Sequence, residues 1–149
     1  MNKLEILKKS ELFDQLTDEE LKTIEPVGSE EIFEPGAIIC KQDTKEQKIF
    51  IIEDGLVAIC LDVGQLDRRQ IQSVGKLETF GWMAMIEPFQ CFTTTTAIKR
   101  TNAISFDGKK LYDFCTANPV LGLKITRALV RIVRKRLRQA YTQLLGVSF

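Results

Sequence analysis

The sequence predicts a mainly β protein with flanking helices: an antiparallel β-roll of the double-stranded β-helix or jelly-roll type, with N-terminal helices and a long C-terminal helix. Three observations carry this reading. A capped helical segment opens the chain. Short apolar runs broken by turn residues fill the middle, from Ser29 to about Phe106. An unbroken helical pattern then starts at Asn118-Pro119 and continues almost to the end. At 149 residues, 44% of them apolar and 28% charged, the chain has the size and composition of one globular domain with a real core. One domain over 1–149 is expected, helical over 1–27, a β-roll over 28–107 and helical again over 108–145.

The opening element reads as a helix pair. Thr17-Asp18-Glu19-Glu20 has the form of a capping box, a Thr at the N-cap with Glu three residues on. Leu12, Phe13, Leu16, Leu21 and Ile24 supply an apolar face, and Pro26 stops the helix after about Glu25. The strands follow. Glu31-Ile32-Phe33 ends at Pro35-Gly36, a turn signal, and Ala37 to Cys40 comes next. Ile49–Glu53 and Leu56–Leu61 flank Asp54-Gly55, the strongest short hairpin signal in the chain. Val63-Gly64-Gln65 marks a second turn, and Arg68–Val74 and Thr93–Phe106 give further strands. A short helix is expected over Lys109–Ala117, and Asn118-Pro119 starts the last one with Pro near N1. That helix runs from about Val120 to Leu144. Leu123, Thr126, Val130, Val133, Leu137, Ala140 and Leu144 recur along it at alternating steps of 3 and 4, a heptad stripe.

Composition excludes several functions. No histidine is present, so Ser-His-Asp and Cys-His nucleophile activation, HExxH zinc sites and axial histidine ligation of haem are all ruled out. Cys40, Cys60, Cys91 and Cys115 form no CxxC pair, and each lies in an apolar neighbourhood. They read as reduced, mostly buried thiols. No metal site and no cofactor are therefore expected, and the chain is not expected to be an enzyme. No apolar run approaches the roughly 20 residues of a membrane span. The start, MNKLEILKKSELF, lacks the apolar core of a signal peptide, which points to the cytoplasm. Net charge is +1 but polarised. Residues 1–60 hold 14 acids and 7 bases, a net of −7, whereas 119–149 hold 7 bases and no acid. The basic helix reads as a solvated face turned toward the acidic first half, rather than as a nucleic-acid or membrane patch.

Several segments, in order, resemble those of the cyclic nucleotide-binding superfamily, in particular the effector domain of the catabolite-activator transcription factors. Glu34-Pro35-Gly36-Ala37-Ile38-Ile39 is similar to the family's PGxxI segment. Ile49-Phe50-Ile51-Ile52-Glu53-Asp54-Gly55-Leu56-Val57 is similar to its YFIxxGxV segment. Phe80-Gly81 resembles the start of its phosphate-binding cassette, and Phe106-Asp107-Gly108-Lys109-Lys110-Leu111 the strand-to-helix junction beyond it. Asn118-Pro119 falls where the family's last helix often begins. The resemblance spans about Leu12 to Arg138. It implies a regulatory, ligand-sensing module that signals through its terminal helix.

The cassette departs from the pattern. The resemblance implies a Glu that binds the ribose 2′-hydroxyl and an Arg that neutralises the cyclic phosphate. Trp82 occupies the Glu position, and the Arg position falls on Gln90, Cys91 or Phe92. No Lys or Arg occurs between Gly81 and Lys99. An unpaired phosphate charge in a partly dry pocket costs several kcal/mol, against which a bare helix N-terminus returns only about 0.3–2 kcal/mol. Loss of the hydroxyl acceptor adds about 1–3 kcal/mol, enough together to take a micromolar ligand to millimolar. Cyclic nucleotide binding is thus expected to be lost or altered. The candidate ligand-binding residues are Phe80, Gly81, Trp82, Met83, Ala84, Cys91, Phe92, Thr93, Thr94 and Thr95. Trp82 is expected mainly to fill the vacated space. Of Thr93-Thr94-Thr95-Thr96, two must point each way on a strand. The expected partners are a second copy of the chain along the heptad stripe and a small-molecule effector. No DNA-binding domain is expected in this chain. The alternative is a non-binding structural or interaction domain that keeps the fold for dimerisation.

Overall fold

A computed structural model describes residues 1–146; the end of the predicted domain, 147–149, lies outside the described residues. Two helices come first, α1 (Lys3–Lys9) and α2 (Asp18–Ile24), and a 3-10 turn over Glu25–Val27 carries Pro26. The capping box forms as read. Thr17 Oγ1 accepts from Glu20 N–H at 3.2 Å, and the Glu20 carboxylate accepts from Thr17 N–H at 2.9 Å. Leu12, Phe13 and Leu16 lie in turns between the helices, not on them, but all are buried.

Eight strands follow: β1 (Ser29–Phe33), β2 (Ile38–Cys40), β3 (Lys48–Asp54), β4 (Val57–Asp62), β5 (Arg68–Val74), β6 (Thr79–Phe80), β7 (Thr94–Ala97) and β8 (Thr101–Asp107). They form two four-stranded antiparallel sheets, ordered β1-β8-β3-β6 and β2-β7-β4-β5. Then come α3 (Gly108–Ala117) and α4 (Pro119–Leu145). The sequence missed the short strand β6.

Asp54-Gly55 is not a hairpin. Strand β3 pairs with β6 and β8, whereas β4 pairs with β5 and β7, so the chain changes sheets at this point. The β7–β8 connection crosses between the sheets beside it. Leu56 N–H donates to Thr101 Oγ1 at 3.2 Å, and Ile98 N–H to Leu56 O at 2.9 Å, so the two corners are tied together. The sequence signal was the left-handed backbone of Gly55, which a hairpin turn and a sheet-to-sheet corner both use. The hairpin lies one step later. Strands β4 and β5 pair directly, and Val63 N–H to Asp67 O closes their turn at 2.7 Å.

Strand β3 is buried on both faces, which explains the unbroken apolar run Ile49-Phe50-Ile51-Ile52. Ile49 and Ile51 join Ile104 and Phe106 of β8 under the helices, against Phe13, Leu21, Ile125 and Ile132. Phe50 and Ile52 point into the roll with Val57, Val74, Phe80 and Ala103. The Phe50 and Phe80 rings stack 4.7 Å apart, within 7° of parallel. At about 25 cal/mol per Å² of apolar surface, each such side chain contributes roughly 1.5–3 kcal/mol.

Gly55 offers a direct check of the corner. Its φ is +122°, and a Cβ there would sit 2.5 Å from Thr101 Oγ1 and 2.8 Å from Arg100 O. Gly55→Ala should lower the unfolding free energy by about 2–4 kcal/mol, from backbone strain and the clash combined. Urea unfolding measures this, and a loss below about 1 kcal/mol would contradict the corner geometry.

Candidate functional site

Strand β6 ends in Gly81, whose φ of +77° is left-handed, and a 3-10 turn over Trp82–Met85 follows. A Cβ on Gly81 would lie 2.5 Å from Lys48 O, so glycine lets the cassette turn lie directly on β3. The segment beyond the turn is clasped to the loop between β2 and β3. Asp43 N–H donates to Cys91 O at 2.7 Å, Cys91 N–H to Thr44 O at 2.8 Å, and Glu46 N–H to Phe89 O at 2.9 Å.

These segments, strands β4 to β7 and the second half of α4 enclose a cavity of about 280 Å³. Its walls include Ile59, Ile71, Val74, Phe80, Gly81, Trp82, Met83 and Phe92, and Val133, Arg136, Leu137 and Ala140 of α4. Of the residues picked out from the sequence, Phe80, Gly81, Trp82, Met83, Cys91, Phe92, Thr93 and Thr95 meet there. Ala84 and Thr94 do not. Ala84 is packed beneath the turn, and the Thr94 hydroxyl faces away, donating to Asp62 Oδ2 at 2.7 Å. The threonines alternate as strand geometry requires. Trp82 does not fill the space. It stands half-buried in the wall, its ring edge to face with Phe92 at 6.5 Å.

Sequence reasoning missed two polar features of this cavity. The first is a pair of hydroxyls. Thr79 and Thr95 are 0% and 3% exposed, both line the cavity, and among the described residues neither Oγ1 has a hydrogen-bond partner. Buried hydroxyls are normally paired.

The second is Arg136, read above as one of the solvated bases. It is 6% exposed and, among the described residues, the single cation in the lining. Its guanidinium donates to Gln139 Oε1 at 3.0 Å, Ser73 O at 3.4 Å and Glu78 Oε2 at 3.5 Å. Lys135 beside it bridges Glu78 at 2.7 Å and Glu11 at 2.6 Å, while Lys124 pairs with Glu20 and Arg131 with Asp14. The basic helix therefore does face acids of the first half. Arg68 and Arg69 pair with Asp62 and Asp67, outside the lining.

A further group joins three residues far apart in sequence. Cys40, Glu46 and Cys91 bring two sulfurs and a carboxylate oxygen within 4.8 Å of one another. All four cysteines are free thiols, as read; in this trio Cys91 and Glu46 are buried, and Cys40 is half-exposed beside them. Burial first, and then the Cys91 thiol, push the Glu46 carboxyl up to about 8. The Cys40 contact and burial also push Cys91 up, while the contact with Cys91 lowers Cys40. Nothing local marks this trio, because the clasp between the β2–β3 loop and the cassette creates it.

On the heptad stripe, Leu123, Thr126, Val130, Leu137, Ala140 and Leu144 are exposed and Val133 is half-buried. The face of α4 that packs on the domain is a different one: Leu121, Gly122, Ile125, Ala128, Leu129, Ile132 and Arg136. Among the described residues no helix is long and apolar enough to cross a membrane.

Comparison with known proteins decides the family. The pattern of the cyclic nucleotide-binding domain matches residues 30–118. The chain belongs to the cyclic nucleotide-binding domain family. A candidate cyclic nucleotide-binding protein from Geobacter metallireducens is similar in structure, with a TM-score of 0.81 at 26% identity over 92% of this chain and 99% of that one. A cyclic nucleotide-binding domain from Methylobacillus flagellatus superposes with a TM-score of 0.83 at 22% identity, over 99% of this chain and 83% of its own. The catabolite activator protein of Thermus thermophilus gives 0.75 at 20% identity, over 91% of this chain and 62% of that one. Among curated proteins none matches. The family assignment makes the chain a regulatory ligand-sensing module by fold, and no Lys or Arg lies between Gly81 and Lys99.

The Glu78 cluster yields a pH test. Partial burial lifts the Glu78 carboxyl, but the hydrogen bonds from Lys135 and Gly75 N–H and the charges of Lys135 and Arg136 outweigh it. They hold the group below its ordinary 4.5. A depressed carboxyl stabilises the fold above its unfolded value and loses that contribution as pH falls through the folded value. Glu78→Gln should therefore cost about 1–2 kcal/mol at neutral pH, with the deficit against wild type shrinking below about pH 4.5. A deficit unchanged down to about pH 3 in denaturant titrations would remove the ionised Glu78 from this account.

Proposed function

We propose that the protein is a cytoplasmic, non-catalytic regulatory module that senses a small, mostly apolar, uncharged effector in this cavity and signals through a homodimer built on α4. The observation that carries the reading is the cavity itself, open beside Trp82 and walled mostly by apolar side chains. A small ligand with a mostly apolar body fits such a lining. Had Trp82 filled the space, a non-binding interaction domain would have been favoured.

An ordinary cyclic nucleotide fits poorly. Its phosphate would meet Trp82, Phe92, Cys91 and Glu46, where the family pattern supplies an Arg. Arg136 approaches from α4, but it already pairs with Glu78, and drawing it to a phosphate would break that contact. The supported coupling is direct. Val133, Leu137 and Ala140 of the heptad stripe touch the cavity together with Arg136, and the same stripe continues through the exposed Leu123, Val130 and Leu144. An effector pressing on those side chains would shift the helix on which the dimer rests.

Two outcomes are expected. Calorimetric titration should find cyclic AMP and cyclic GMP no tighter than about 100 µM, because charge-assisted pairing of the phosphate is missing. A low-micromolar constant would mean that Arg136 leaves Glu78 for the ligand. A thermal-shift panel of neutral heteroaromatic compounds beside the cyclic nucleotides then tests the ligand class, since a true ligand at 100 times its dissociation constant adds about 2.7 kcal/mol.

The dimer is tested by sedimentation. Leu123, Val130 and Leu144 are 51%, 63% and 81% exposed, apolar surface that a partner helix would cover. At about 50 µM protein and 0.15 M salt, where the Debye length is about 8 Å, the wild type should sediment as a dimer. Val130→Glu with Leu144→Glu, both outside the cavity lining, should give monomers whose circular dichroism spectrum remains that of the folded wild type. A monomeric wild type would end the dimer reading.

A further inference from the structure

We infer that Cys40, Glu46 and Cys91 form a binding site for one zinc ion, in the wall of the cavity beside the cassette turn. The two sulfurs and the carboxylate oxygen lie within 4.8 Å of one another. A tetrahedral zinc, about 2.3 Å from sulfur and 2.0–2.2 Å from oxygen, needs its ligand atoms about 3.5–3.8 Å apart. The apo geometry is thus within about 1 Å of closure. Cys40, half-exposed at the end of β2, can make that movement by side-chain rotation.

The scaffold is already assembled. Ligands from two segments some fifty residues apart are held in register by the three backbone hydrogen bonds of the clasp: Asp43 N–H to Cys91 O, Cys91 N–H to Thr44 O and Glu46 N–H to Phe89 O. Hydroxyls flank both sulfurs, Thr44 Oγ1 at 3.8 Å from Cys40 Sγ and Thr93 Oγ1 at 3.8 Å from Cys91 Sγ, where they can support bound thiolates.

The donor set can take a cation in exchange for its protons. Glu46 is 6% exposed and its carboxylate meets the two cysteine sulfurs. Three groups that become anionic on losing a proton converge there, and a divalent ion would neutralise two of the three charges. Two thiolates select a soft or borderline ion, and the carboxylate favours zinc over copper(I). Calcium and magnesium prefer all-oxygen shells. On binding, the thiol and carboxyl protons leave to solvent, including the one Cys91 now donates to Thr93 O. Three protein ligands leave one tetrahedral position for water. The absence of histidine and of CxxC spacing argued against a metal in the sequence, but it bears only on local motifs.

Cobalt(II) titration of reduced, chelator-stripped protein tests the site without reference to any ligand. The expected result is one equivalent bound, with the near-ultraviolet charge-transfer band of cobalt–thiolate bonds and the intense visible bands of tetrahedral cobalt, all displaced by one equivalent of zinc. Cys40→Ser and Cys91→Ser should each lose or halve the charge-transfer band. Glu46→Gln should keep it while weakening zinc at least about tenfold, the loss that even an outer-sphere partner can cause. Cys60→Ser and Cys115→Ser should match the wild type. Circular dichroism establishes that each variant is folded. The wild-type titration is decisive by itself: no thiolate band with excess cobalt, or a band that survives in both the Cys40 and Cys91 variants, overturns the inference.

Discussion

The two-sided burial of β3 is the constraint on which the rest of the structure depends. A strand with Ile49 and Ile51 on one face and Phe50 and Ile52 on the other must have a layer on each side. The helices supply one layer and the second sheet the other. Strand β8 shares the burden, with Ile104 and Phe106 under the helices and Ala103 toward the roll. Between these two strands the domain is closed, so the cassette turn, which leans on β3 through Gly81, and α4, which packs on the outer core, are fixed relative to each other. The cavity is the gap that remains where the roll, the turn and the helix fail to meet.

Much of this was legible in the sequence because it is written locally. The Thr17–Glu20 box, the start at Asn118-Pro119 and the stripe on the last helix are short-range patterns, and each occupies its expected place. The Asp54-Gly55 signal was also local, but it reports a backbone dihedral and not which sheet the next strand joins. Strands that leave a left-handed glycine can pair with each other or part company. Here the bonds between Thr101 and Leu56 settle the matter, and their donors and acceptors lie some forty-five residues apart.

What stayed hidden was polar and long-range. Arg136 has the sequence neighbourhood of a solvated base, and only Glu78, Ser73 and the cavity edge make it a buried one. The same holds for Cys40, Glu46 and Cys91, whose meeting depends on a clasp of backbone hydrogen bonds that no side-chain pattern encodes. Hydrophobic periodicity reports which face is buried, whereas a buried polar contact reports which two segments meet. A single chain supplies the first kind of information far more readily than the second.

Helix α4 uses two faces at once. One face, from Leu121 to Arg136, is consumed by the domain's own core. The heptad stripe lies about a third of a turn away, so the helix can serve the core and a partner at once only by remaining in one rotational setting. That setting is held by polar contacts rather than by apolar packing alone. Lys135 reaches Glu11 and Glu78, Arg136 reaches Glu78, and Gln72 Nε2 donates to Arg136 O at 2.9 Å. Apolar contacts tolerate small rotations, but these bonds do not. Val133, Arg136, Leu137 and Ala140 line the cavity in the same stretch where these polar contacts converge. The part of the structure that fixes the helix is thus the part that walls the cavity, and the stripe itself reaches that wall through Val133, Leu137 and Ala140.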